Sequence, residues 1–269
     1  MRSSLILLPL LMAGCATMPA GREVAAAPPE PKLHVERFGE TRPAEVRTLV
    51  VVIHGDAVTG SRGDEYAFAD AVTRAIPRSA AVAILRPGYD DAKGSRSIGE
   101  RGSATGDNFA GEQLSAVADT VQLLRRRYPA ARVLVVGDAG GAAIAANLAG
   151  LRPGIFDGMV LVGCPCTLPE WRAHMARATT DPAWKQPVAS LDPLKTAGGV
   201  RPPLRAAVLV GEKDRITPIK FSRAYVEALS LRGIATDYRI VPGKGHNLLG
   251  DPEVLAATSR LAASLGGTS

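Results

Sequence analysis

Three stretches of the chain hold side chains that could do chemistry together. The first is Gly137-Asp138-Ala139-Gly140-Gly141, set between a β-branched and aliphatic run (Val133 to Val136) and an alanine-rich stretch. A strand, a glycine-flanked turn and a helix, in that order, make an elbow that lifts one side chain clear of the backbone. The second is Asp214, in Gly211-Glu212-Lys213-Asp214, and the third is His246, in Gly243-Lys244-Gly245-His246. An imidazole can take a proton from an attacking hydroxyl, and a carboxylate can orient the imidazole and stabilise its charged form. The chemistry these residue types support is acyl transfer. The attacking group is missing from its place. Elbows of this kind read G-x-S-x-G, and here the centre is Ala139, which carries no oxygen, sulfur or nitrogen.

Such groups work only if regular elements hold them together. Thr48 to Ile53 and Ala80 to Leu85 are continuous apolar runs, as expected of strands buried on both faces of a sheet. Leu33 to Phe38 alternates weakly and reads as a first strand. Met159 to Val162, Ala206 to Val210 and Thr236 to Val241 read as later ones. Tyr66 to Ile76, Pro218 to Leu231 and Pro252 to Leu265 have helical spacing. Leu114, Val117, Ala118, Val121 and Leu124 form one apolar helix face, and Pro129 stops it. Strands alternating with helices imply an α/β fold with a mostly parallel sheet and helices on both faces. Asp90 to Phe109 reads as a long loop, and Tyr89, Asp107 and Asn108 can shape the pocket, though nothing in the sequence shows that they do. Cys164 to Pro203 breaks the alternation and reads as a small cap insertion.

The elbow, Asp214 and His246 each follow a strand, and their order is elbow, acid, histidine. In that order and placement the chain resembles the α/β-hydrolase superfamily, over roughly Leu33 to Leu265. The resemblance implies a serine hydrolase cleaving a carboxylic ester, with a peptidase or amidase on the same fold as the alternative. It implies His246 as general base and Asp214 as its orienting acid, with Glu212 as runner-up. It places oxyanion donors at the backbone N–H of Gly140 and of Asp56, or of Ala57, in the loop after His54-Gly55. His54 then holds that loop, and His34 and His174 have no motif around them. No metal and no organic cofactor is implied.

Ala139 admits several readings. It can be a nucleophile-to-alanine substitution, a natural loss that leaves a non-catalytic binding protein, or a site where a neighbour took over. Asp138 is that neighbour, but it sits one residue off the elbow centre. Because acid, base and oxyanion loop look intact, an engineered or recent loss is favoured over an old one.

The rest of the chain bounds the context. The chain has 269 residues with 46% hydrophobic ones, enough for one sizeable core. Its net charge of +6 comes mostly from scattered arginines, with one short cluster at Arg125-Arg126-Arg127. Aromatic content is 4% and no aromatic-rich basic stripe exists, which argues against a nucleic-acid partner. A basic balance can help near an anionic membrane surface but identifies no partner. Arg2, the apolar run Leu5 to Met12 and Ala13-Gly14-Cys15 resemble a bacterial lipoprotein signal, with Met12 a mild departure. That implies a signal peptide over 1–14, lipidation of Cys15, a tether over 15–31, a domain over 32–269 with its cap at about 164–203, and a periplasm-facing envelope location. Cys164 and Cys166 are two apart, so a bond between them is expected to be strained, and they read as small buried residues. Trp171, Trp184 and Met175 can line a pocket for a small-molecule ester or peptide, or can simply pack the cap.

Overall fold

The computed structural model describes residues 30–56, 64–102, 106 and 108–266. Cys15, Ala57 and Asp107 lie outside the described residues. Six strands run parallel: β2 (Thr48–Ile53), β3 (Ser79–Ile84), β4 (Arg132–Asp138), β5 (Gly158–Val162), β6 (Arg205–Gly211) and β7 (Thr236–Val241). β1 (Val35–Gly39) joins β3 antiparallel, and the sheet order is β1-β3-β2-β4-β5-β6-β7.

The helices divide between the two faces. Val50, Val52, Ala81 and Ala83 point toward α1 (Asp64–Ala75), where Phe68 and Val72 meet them. The last helix, α7 (Pro252–Leu265), covers the same face through Val254 and Leu261. Leu49, Val51 and Ile53 point the other way, toward α2 (Gly111–Arg127) and α3 (Gly140–Leu151). There α6 (Ile219–Leu231) adds Phe221 and Tyr225. Both faces of each central strand are therefore apolar, which is why these runs show no polar alternation.

The stretch 164–203 folds as α4 (Leu168–Ala178), a short turn at Pro182–Lys185, α5 (Pro193–Thr196) and a further turn at Ala197–Gly199. The structure corrects the expectation for its cysteines, since Cys164 and Cys166 are joined by a disulfide. With Pro165 between them, the two Cα atoms lie 5.1 Å apart, within the reach of a disulfide.

Register decides where functional groups emerge. Ile53 pairs with Gly137, Gly137 pairs with Leu161, and Gly211 pairs with Val241. The strands thus end level, and the loops after them open on one edge, as open α/β sheets require of a site. The elbow is wedged against the neighbouring strand end. A side chain on Gly141 would collide with the Ile53 and His54 carbonyls, and one on Gly137 would lie 2.6 Å from the Ala142 backbone. Backbone cannot retreat as a side chain can, so overpacking here is expensive. Gly141→Ala is expected to lose about 1–3 kcal/mol, lowering Tm by several degrees. An unchanged melting curve would contradict the wedge.

Candidate active site

Ala139 sits at the tip of the elbow with φ 44° and ψ −112°, a conformation that L residues rarely adopt. Such a conformation costs on the order of 1–3 kcal/mol and persists only where surroundings enforce it. Here the Ala139 N–H donates to the Val162 carbonyl at 2.8 Å, while the Ala139 carbonyl accepts from Ala142 and Ala143. The strand on one side and the helix on the other therefore fix the turn. The methyl group lines a cleft of about 940 Å³, shared with His54, Asp56, Asp138 and His246. Trp171, Met175 and Trp184 line the same cleft. The two indoles meet edge to face with centroids 5.0 Å apart, and Trp171 Nε1 donates to the Ile216 carbonyl at 2.9 Å. They are wall and packing at once.

His246 and Asp214 come together across the end of the sheet. His246 Nδ1 is 2.8 Å from Asp214 Oδ2. Thr217, which sequence reasoning missed, donates its hydroxyl to the same oxygen at 2.7 Å and lies 3.0 Å from His246 Nδ1. Asp214 Oδ1 accepts from the N–H groups of Ile216 and Thr217 at 2.9 and 2.8 Å. The signal was present as Asp214-Arg215-Ile216-Thr217, an acid followed at three residues by threonine, the spacing of a side-chain-capped turn. With the carboxylate on Nδ1, the ring is set to donate there and leave Nε2 as the basic nitrogen. Glu212 does not reach His246 and instead accepts from Gly243 N–H at 2.7 Å on the surface. Gly163 supplies the space for the ring, since a Cβ there would lie 3.2 Å from His246 Cε1.

Burial pushes the Asp214 carboxyl up, but the hydrogen bond and charge of His246 and the Thr217 bonds outweigh it, so its pKa falls below the ordinary value. Burial likewise pulls His246 down, and the bond to Asp214 with the charges of Asp214, Asp138 and Asp56 outweighs that. Its pKa is raised above the ordinary 6.5.

The loop after β2 is built on a buried polar network. Arg86, 1% exposed, pairs with Asp56 at 2.9 Å. Tyr89 and Asn108 donate to the same Asp56 oxygen at 3.0 and 2.9 Å. His54 Nε2 accepts from Arg86 N–H at 3.0 Å, so its Nδ1–H donates to the Gly55 carbonyl at 2.7 Å. Burial, then the Arg86 charge, drives the His54 pKa down to about 3, leaving it neutral. Sequence reasoning named the Asp56 N–H. The structure adds that the Asp56 carboxylate leans over Gly140, where any side chain would collide with it. The Gly140 N–H lies in the first turn of α3, where helix donors have no intrahelical acceptor. Asp138 flanks the elbow, with Oδ2 2.9 Å from where a Gly55 Cβ would stand. Burial raises its pKa to about 7, against the pull of the His246 charge and with the push of Asp56. His34 and His174 stand apart: His34 lies 3.9 Å from Glu36 and Asp91, and His174 Nε2 lies 2.8 Å from the Arg215 carbonyl.

No protein-family model and no curated protein sequence matches the chain. Solved structures match it over most of its length. Est1E from Butyrivibrio proteoclasticus, solved with ferulic acid bound, is 14% identical with a TM-score of 0.66, covering 88% of this chain and 96% of its own. Esterase PE8 is 17% identical with a TM-score of 0.63, covering 87% and 99%. The monoacylglycerol lipase of Paleococcus ferrophilus is 18% identical with a TM-score of 0.57, covering 86% and 98%. The chain has the α/β-hydrolase fold, and its structural neighbours include esterases and a lipase.

The His246–Asp214 pair can be read without any turnover. The folded-state pKa of His246 is raised, so the pair adds stability that is complete below about pH 6.5 and fades as pH rises through the folded value. The His246 ring should titrate above 6.5 by NMR, and Asp214→Asn should bring it down, because the first upward contribution is that carboxylate. A ring that titrates identically in both proteins would contradict the geometry.

Proposed function

We propose that the cleft is an ester-binding site on the acyl-transfer plan, and that hydrolysis through it needs a serine at position 139. The observation that carries this is the backbone of Ala139: a strained elbow tip, kept in a residue with no use for it, beside a bonded His246–Asp214 pair. Elsewhere such strain accompanies function.

In this reading the hydroxyl of a serine at that position attacks the ester carbonyl while His246 Nε2 takes its proton. Asp214 stabilises the imidazolium. The developing oxyanion takes N–H bonds from Gly140 and from the Asp56 loop, and His246 returns the proton to the leaving alcohol. A water repeats the sequence on the acyl-enzyme. Small esters with an apolar or aromatic acyl group suit the Trp171, Trp184 and Met175 wall, and the ferulic acid held by Est1E is the free acid of such an aromatic acyl group. As it stands, the chain binds such esters and turns them over poorly, because losing one member of a triad removes up to about six orders of magnitude in rate.

A second reading has its own observation. The Asp56 carboxylate over Gly140, with Asp138 beside the elbow, puts acidic groups where negative charge would build. That favours a binding protein with no turnover. Ala139→Ser decides between them. On the first reading it gains hydrolysis of a short activated ester by on the order of 1,000-fold or more and labels with a serine-reactive phosphonate. A folded serine variant that stays inert across a broad ester and amide panel selects the binding protein. Residual activity in the unaltered chain that Asp138→Asn abolishes would move the nucleophile to Asp138.

We further propose that residues 1–14 are a lipoprotein signal and 15–31 a tether, leaving the domain lipid-anchored at Cys15 and facing the periplasm. The Arg2 start, short apolar run and Gly14-Cys15 ending support this. After a wash in about 0.5 M salt, which screens surface electrostatics, the protein should stay with membranes and Cys15→Ser should not. Equal retention of both would sink the anchor.

A further inference from the structure

The arginines that look scattered in the sequence are gathered by the fold. In a parallel sheet with crossover helices, strand starts and helix ends share one edge, opposite the site. Arg78 immediately precedes β3, Arg47 precedes β2, and Arg132 and Arg205 begin β4 and β6. They are neighbours in space: Arg47 N–H donates to the Arg78 carbonyl at 2.8 Å, and Arg132 N–H to the Arg47 carbonyl at 2.9 Å. Arg205 faces Gly158 of β5 in register. Strands lie about 4.8 Å apart, so this row spans roughly 20 Å. Arg126 lies in the last turn of α2, and Arg152 and Arg232 cap α3 and α6 at the same edge.

Most of this charge is left uncompensated. Arg125 and Arg132 share Asp157 at 3.2 and 3.3 Å. Arg47, Arg78, Arg126, Arg152, Arg205 and Arg232 are exposed, and among the described residues none of them has a carboxylate partner within ion-pair distance. Arg78 is held at φ 54°, where glycine or asparagine would fit with less strain. At the opposite edge the cleft itself is lined by Asp56, Asp64, Asp138 and Asp251 against Lys244 and His246.

The described chain also enters the domain near this row. Glu30, the first described residue, pairs with Arg127 at 3.3 Å.

We propose that this edge is a docking surface for an anionic phospholipid membrane, holding the domain with the cleft turned away from the lipid. The inference rests on charge placement and the entry point of the chain, and it stands whether or not Cys15 is lipidated. Each arginine brought near an anionic surface strengthens binding roughly five-fold.

The test uses the full chain carrying Cys15→Ser, so that no acyl group contributes, in sedimentation with vesicles. One set is about one-third phosphatidylglycerol in phosphatidylcholine, and the other is phosphatidylcholine alone. Binding is expected to the anionic set only, and to fall away at about 0.5 M salt. Adding Arg47→Gln, Arg126→Gln and Arg205→Gln should weaken it on the order of 100-fold. Arg96→Gln, Arg177→Gln and Arg215→Gln, all exposed and on the cleft side of the fold, remove the same charge and should change it less than about three-fold. Melting curves confirm that both triple variants are folded. Equal binding to both vesicle sets, or equal losses in the two triples, would overturn the proposal. So would tighter binding of a duplex oligonucleotide than of the anionic vesicles, with the same dependence on the first triple.

Discussion

Everything at the site depends on one backbone constraint, the left-handed turn at Ala139. A residue with a Cβ does not settle at φ 44° and ψ −112° unless its surroundings leave no alternative. Here β5 takes the Ala139 N–H, the first turn of α3 takes its carbonyl, and the helix start is pressed onto the end of β2. That pressing is possible only because Gly137 and Gly141 have no side chains. The same wedge sets the distance between the elbow and the loop carrying Gly55 and Asp56. Strain in the turn and closeness of the two loops are one feature seen from two sides.

Electrostatics follow from that closeness. Bringing the β2 loop onto the elbow crowds Asp56 and Asp138 at the mouth of the sheet. Arg86 resolves the first, with Tyr89 and Asn108, so Asp56 stays ionised despite burial. Asp138 has no such cation among the described residues and is pushed up to about 7. His246 is the group that feels both, and with Asp214 directly bonded it is biased toward its charged form. A site arranged in this way favours a cation at the histidine. That suits the imidazolium formed during acyl transfer, and equally suits a binding site that prefers a positively charged wall.

The sequence made the scaffold legible because its strands are buried on both faces. Thr48 to Ile53 and Val133 to Val136 could hardly be anything else, and turn glycines marked where they stop. His246 and Asp214 were legible for the same reason, as polar residues stranded just past apolar runs. What escaped were relations carried by single atoms across long sequence separations. Arg86 reads as an ordinary basic residue before a Pro-Gly turn, and only the fold shows it beneath Asp56, thirty residues earlier. Thr217 had a local signal in its spacing from Asp214. The Cys164–Cys166 bond was judged by sequence separation, which says little until the backbone across Pro165 sets the two Cα atoms 5.1 Å apart.

The same limit applies to charge. Read along the chain, the arginines have no pattern, because each belongs to a different strand start or helix end. The βα topology imposes one by sending all such positions to a single edge. Part of that placement has a local cause: cations at helix C-termini complement the macrodipole, which accounts for Arg126 and Arg232. It does not account for Arg47 and Arg205, which precede or begin strands and close no α-helix. Nor does it explain an arginine retained at φ 54°. The strand-start arginines are therefore the part of the basic edge on which the proposed membrane contact rests.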